Sequence, residues 1–476
     1  MHSSPDHGNL FYERFISNTN CFEDGKRPIQ PIHIIDVPAD IETRQPRGQT
    51  DLVKKACPDL ETLQEHLQNP ANAKFKLRLI SINQKHSWSR LQVTRPMLEK
   101  IIVHHDIEPE FLEVPLCFFE RATDEDQSFC VPITVTDCAT THRLFYTIRY
   151  AEYKGLPNEP WVLRQVGVYH KFDIASKQSL VILLNAVPDS KAYRRVLQAI
   201  STEFQMIEQE PLYLHELVHN SYFAYWKDYL NAYEKKLLPI ADTTTATFIN
   251  EPLRVTHDTL GKVRFLESRF LPLQAILSSF EEVLRELQDL NAILQSAGAV
   301  DPRSVRSALV RSRNVGRYCQ GYARAALFLQ QRSNNTATLL ADTLGYRNQA
   351  VAQEQNGSMI VLTRSAVFIT IITLVYLPWT LITGIFGMEF FQWNQETKNV
   401  DVSPEIWQFF VAATGTTVFT MLVYYLMAGF PRLRKHKQTN IQASETTASR
   451  RPTFTIEQPR RCSTDIEKNP QLLRRT

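Results

Sequence analysis

The chain has 476 residues, with 53 Lys and Arg against 50 Asp and Glu, a formal net charge of +3. That balance is too small to suggest a nucleic-acid partner, while 43% apolar and 22% charged residues suffice for ordinary folded cores. Seven scattered cysteines with no C-x-x-C pair argue against a disulfide framework or a zinc ribbon and read as reduced thiols in a cytosolic compartment.

The opening stretch, MHSSPDHGNLFYERF, has no apolar run with a positive flank, so no signal peptide is read there. Asp6 and Glu13, with no arginine before Arg14, argue against a mitochondrial presequence. Residues 1–70 are rich in Pro, Asp, Gln and Asn, and are expected to be a partly ordered lead-in. Residues 71–240 read as a cytosolic α/β domain. Its strand-like runs are Phe75–Asn83, His142–Tyr150, Trp161–Tyr169 and Ser179–Asn185, with a helical stretch at Arg95–His104. From about Lys191 the pattern is nearly all helical, with breaks near Thr243–Thr247 and Gly298–Pro302, which sets residues 241–300 apart as cytosolic helices.

Within the helical part, His215-Glu216-Leu217-Val218-His219 spells H-E-x-x-H, the spacing that puts two imidazoles one turn apart in zinc proteases. A catalytic site needs a third protein ligand. The G-x-x-H continuation fails, since Tyr222 and Tyr225 hold those places. The motif is therefore expected to be two histidines on a packed or partly exposed helix, and the chain not to be an enzyme. No cofactor is expected.

Asp301 and Pro302 form a helix start, with Asp as N-cap and Pro in the first turn. No proline follows until Pro378, so residues 301–388 read as one stalk helix continuing into a first membrane span. Two ordinary helices before a separate span is the alternative. Ser365–Met388 is 24 residues without Asp, Glu, Lys, Arg, His, Asn or Gln, longer than the ~20 apolar residues a crossing needs. On this helix Thr363, Thr370, Thr373, Leu377 and Gly384 share one face, with Thr380 at its edge. By periodicity alone that face serves packing against a neighbouring helix as well as pore lining. Residues 389–405 form an acidic loop, four carboxylates against Lys398. Residues 406–431 are a second span with one polar amide, Gln408, and no charge. Residues 432–476 carry 11 Lys and Arg against 4 Asp and Glu and are expected to be a disordered basic tail. Arg364 and the cluster Arg432–Lys437 put both ends in the cytosol and the loop outside.

Leu377–Phe391, LPWTLITGIFGMEFF, resembles the first membrane helix of the CorA family of divalent-cation transporters, which ends in an aromatic residue and Gly-Met-Asn. The resemblance is strong over about residues 300–437. Before that it is weaker and similar to the filamentous-fungal branch, at Trp161–Asp173 and Leu214–Leu230. Here the asparagine position is Glu389, giving Gly-Met-Glu. The resemblance implies a CorA-like fold: an α+β cytosolic domain, a long helical stalk and a two-helix transmembrane hairpin. It implies a homo-oligomer, pentameric in the family, that moves divalent cations across a bilayer, with magnesium the default ion. The pore would be lined by Thr363, Thr370, Thr373, Leu377, Thr380 and Gly384, with Gly387, Met388 and Glu389 at the outer mouth. A membrane-anchored interaction protein that has lost transport is the rival. Plasma membrane or vacuole is expected ahead of the mitochondrion.

Overall fold

The computed structural model describes residues 5–25, 29–39, 52–123, 128–138, 140–157, 159–246, 254–386, 391–394 and 398–426. They fall into two compact units, Met1–Asn348 and Gln349–Thr476.

The first unit is built on a sheet. In chain order it holds α1 (Pro5–Ser17), β1 (Phe22–Glu23), β2 (Ile32–Pro38), β3 (Val53–Cys57), α2 (Leu60–Gln68), β4 (Phe75–Asn83), β5 (Leu91–Thr94), α3 (Arg95–His105) and α4 (Glu113–Leu116). β6 (Thr134–Cys138), β7 (Thr141–Tyr153), β8 (Trp161–Asp173) and β9 (Ser179–Asn185) follow. Then come α5 (Lys191–Thr202), α6 (Phe204–Gln209), α7 (Tyr213–Asn220), α8 (Tyr225–Thr245), α9 (His257–Phe270), α10 (Leu273–Ser296) and α11 (Pro302–Phe386), the last running on into the second unit.

Seven strands pair in the order β3-β2-β4-β9-β8-β7-β6, antiparallel except for the central β4–β9 pair. Both faces are covered, so the middle strands are apolar on both sides, as period-2 alternation requires. On β9, Val181 and Leu183 face one core, while Leu180, Ile182 and Leu184 face the other. The first core is completed by α5–α10 and the start of α11. The second is completed by Phe15 of α1, Leu63 and Leu67 of α2, Met97, Leu98 and Ile101 of α3, and Val114 and Leu116 of α4.

Of residues 1–70, read as a partly ordered lead-in, the described residues join this domain. β2 pairs with both β3 and β4, and α1 and α2 cap the second core. What ties it in is a buried ionic group. Arg78 on β4 donates Nε and one terminal nitrogen to the two carboxylate oxygens of Asp36 on β2, at 2.7 and 2.8 Å. His66 of α2 meets Asp36 at 3.0 Å. Burial alone would raise the Asp36 pKa, but these hydrogen bonds and the guanidinium charge outweigh it and hold the carboxyl below its usual range.

Two helix breaks fall where read, with α8 ending at Thr245, α10 at Ser296 and α11 starting at Pro302 after Asp301, and further breaks separate α5, α6, α7 and α8 from one another and α9 from α10. The second unit continues α11 to Phe386 and adds β10 (Phe391–Asn394), β11 (Asn399–Val402) and α12 (Ile406–Leu426). The expected acidic loop thus contains a short antiparallel ribbon, paired from Phe391↔Val402 to Asn394↔Asn399. The basic tail lies outside the described residues.

Candidate functional site

Two helices are too apolar, and too bare, to be left in water. α11 holds an 18-residue window of mean hydropathy 2.1, none of it buried, and α12 one of 1.6 that is nearly as uncovered. A core helix of a soluble protein is apolar because something covers it. These need lipid or other chains as cover, and each is long enough for the ~30 Å of a hydrocarbon core.

The two helices meet on one side. Trp379 of α11 stands edge-on to Phe409 and Phe410 of α12, with ring centroids 6.1 and 6.3 Å apart. Pro378 and Ile382 of α11 and Ala413 of α12 are buried. At 100° per residue, Thr363, Thr370, Thr373, Leu377, Thr380 and Gly384 occupy an arc of roughly 100°, and Trp379 and Ile382 lie roughly 150° from its middle. All six are exposed, and Leu377 is 62% so. The stripe therefore faces away from the chain's own second helix. A Cβ added to Gly384 would meet nothing within 4 Å.

The threonines are arranged alike. Thr363, Thr370 and Thr373 donate their hydroxyls to the carbonyls of Met359, Ala366 and Ile369, at 2.7, 2.8 and 2.9 Å. Thr380 donates to Tyr376 and Leu377 at 3.2 and 2.8 Å. With its proton committed to the helix, each oxygen can only accept from outside. Water around a cation turns its oxygens to the ion and its hydrogens outward, so acceptors suit a hydrated cation. Gly387, Met388 and Glu389, the expected mouth, lie outside the described residues.

The H-E-x-x-H motif lies elsewhere, on α7 in the first unit. His215 and His219 are 2% and 3% exposed. The Tyr146 hydroxyl of β7 meets His215 Nδ1 at 2.7 Å and His219 Nε2 at 3.0 Å. His215 Nε2 meets His170 Nδ1 of β8 at 2.9 Å, and His170 Nε2 meets the Ser179 hydroxyl of β9 at 2.6 Å. Glu216 points away to Arg311 of α11, whose Nε reaches both its oxygens at 2.9 Å, while Glu210 takes another of the arginine's nitrogens at 3.0 Å. A small cavity of about 50 Å³ lies beside them. The histidines are thus joined to three strands, and the glutamate to α11. The motif fastens α7 in place. Among the described residues no cluster of three or more His, Cys, Asp and Glu could hold a metal ion. Tyr146, His170 and Ser179 carry no signal in the sequence as partners of the motif; only strand pairing brings them together.

The family model of the CorA-like transporters matches residues 35–134 and 134–244. Solved structures similar to the chain include full-length CmaX, at 14% identity over 87% of this chain and 100% of that one, TM-score 0.35. The ZntB cytoplasmic domain from Vibrio parahaemolyticus RIMD 2210633 is another, at 11% identity over 64% and 97%, TM-score 0.34. No curated protein matches the sequence. The family match covers most of the sheet domain and α5–α8, while the apolar half of α11 and α12 lie beyond it. The match falls on the α/β domain, and the long helix and second apolar helix that follow it complete the expected order of a sheet domain, a long helix and a two-helix hairpin.

Proposed function

We propose that this membrane protein is a CorA-like divalent metal cation transporter, with magnesium the default ion, working as a homo-oligomer whose pore is lined by α11. The observation that carries this is the stripe of threonine oxygens turned away from α12. In a lone hairpin that stripe would face lipid. Copies of the chain around a common axis would give it water and ions instead. Thr363, Thr370, Thr373, Thr380 and Gly384 then line the conduit, and Leu377 forms an apolar constriction able to close by dewetting. The arginines and lysines flanking the hairpin set both chain ends in the cytosol and the Phe391–Val402 ribbon outside. The acidic residues of that ribbon region would concentrate cations before entry.

Glu389 favours a second reading, a membrane-anchored interaction protein of the same fold without transport, because it replaces the amide of Gly-Met-Asn. Under the first reading a ring of Glu389 carboxylates binds cations directly as well as through their water. It discriminates less for magnesium and admits more calcium, zinc or manganese. The test is Glu389→Asn, comparing uptake of magnesium, zinc and manganese for both forms in the same membranes. Selectivity should shift toward magnesium. An unchanged profile removes the carboxylate ring from the filter, and no uptake of any divalent cation by either form leaves the anchored protein as the reading.

A further inference from the structure

Between Pro302 and Ala341 the chain has seven arginines and no Asp or Glu. Two of the arginines are matched: Arg311 by Glu210 and Glu216, and Arg332 by Asp242 at 3.6 Å. Arg303, Arg306, Arg313, Arg317 and Arg324 are exposed, and none pairs with a carboxylate of the described residues. Four of these, Arg306, Arg313, Arg317 and Arg324, fall within roughly 40° of one another around α11. That face is opposite the one on which Cys319, Ala326 and Leu329 are buried.

Where this stripe passes α10 there is a cleft of about 320 Å³. That is the lower end of the range for small-molecule sites, ~300–1,000 Å³. Arg285 of α10 and Arg313 and Arg317 of α11 line it, with the amides of Gln288 and Gln320. The one carboxylate in the lining, Glu281, is already engaged. It accepts from Gln320 Nε2 at 2.7 Å and lies 3.6 Å from Arg285. The lining therefore carries three positive charges against one negative, a surplus of two. Gly316 also lines the cleft, and a Cβ there would meet no atom within 4 Å, so its missing side chain keeps the space open.

We propose that this α10–α11 cleft binds a diphosphate group, free or as part of a nucleotide. Guanidinium forks match phosphate oxygens two bonds at a time, and a concave wall strengthens the field of clustered charges. Two surplus charges suit a ligand with at least two anionic groups better than a single monoanion. Bound on α11, the ligand sits on the same helix that carries the threonine stripe, but the assignment stands on the cleft alone and does not depend on transport.

Isothermal titration of the purified full-length protein with pyrophosphate and with ATP, in magnesium-free buffer of fixed ionic strength, tests the site. Saturable binding of one ligand per chain is expected. Arg313→Gln with Arg317→Gln should weaken it by about tenfold or more. Gly316→Leu, at a position where an added Cβ meets no atom within 4 Å, puts a side chain into the cleft without touching its charge, and should weaken binding as well. Unchanged melting and size-exclusion profiles show that the variants remain folded. Equal affinity for both ligands means the diphosphate alone is read, and tighter ATP binding means the nucleoside adds contacts. Absence of saturable binding to the wild type, or binding that survives Gly316→Leu intact, overturns the assignment.

Discussion

Three histidines sit between sheet and helices in surroundings that have no place for a charge. Burial lowers His170 to about 4 and His219 to about 3. It also takes His215 well below its ordinary value, helped by the two neighbouring imidazoles. In an unfolded chain each would titrate near 6.5. Below that pH the unfolded chain takes up protons that the folded chain refuses until far lower. The stability these groups confer is thus complete above pH ~6.5 and is lost as the pH falls toward ~4, by up to roughly 1.4 kcal/mol per histidine per pH unit. The melting temperature of the full-length protein should drop between about pH 7.5 and about pH 5, and His219→Gln should flatten that drop. A melting temperature that holds or rises on acidification contradicts the neutral imidazole chain. H-E-x-x-H is plain in the sequence, but its role is not, because the partners that decide it come from β7, β8 and β9.

Among the elements, β8 is held closest to its neighbours at Gly167. A Cβ there would come 2.5 Å from Val114 Cγ1 of α4 and 3.3 Å from Leu184 Cβ of β9. Gly167→Ala should therefore destabilise the sheet domain by ~1–3 kcal/mol through overpacking, measured by denaturant unfolding. A change within experimental error would mean that α4 yields freely. The strands legible in the sequence are the inner ones. Phe75–Asn83 and Ser179–Asn185 are bounded as read, because burial on both faces leaves an apolar run. His142–Tyr150 and Trp161–Tyr169 extend to Thr141–Tyr153 and Trp161–Asp173. The outer strands β3 and β6 escape such a reading. Val53–Cys57 is exposed along most of its length and carries Lys54 and Lys55, as edge strands do. β2 hides among prolines and pairs through a buried Asp36 that periodicity counts as polar.

For the whole molecule, the hairpin was the most legible part, because a bilayer demands uninterrupted apolar runs that no soluble segment needs. Resemblance was strongest there, whereas the family match falls on residues 35–244. The threonine stripe could be read from spacing, but its direction could not. That follows from Trp379 meeting Phe409 and Phe410, which fixes the opposite side as the one left open. The arginine-lined cleft needs two helices to exist and is invisible to either alone. The central claim is that several copies turn their open stripes to a shared, water-filled axis. Its most direct test is magnesium flux into liposomes holding the purified protein, with a dye inside, for the wild type and for Thr370→Trp, which puts a large ring on the stripe opposite α12. The account predicts flux through the wild-type oligomer, and an oligomer of unchanged size with flux abolished in the variant. An assembled wild type that passes no magnesium or other divalent cation, or flux indifferent to the added ring, would contradict it.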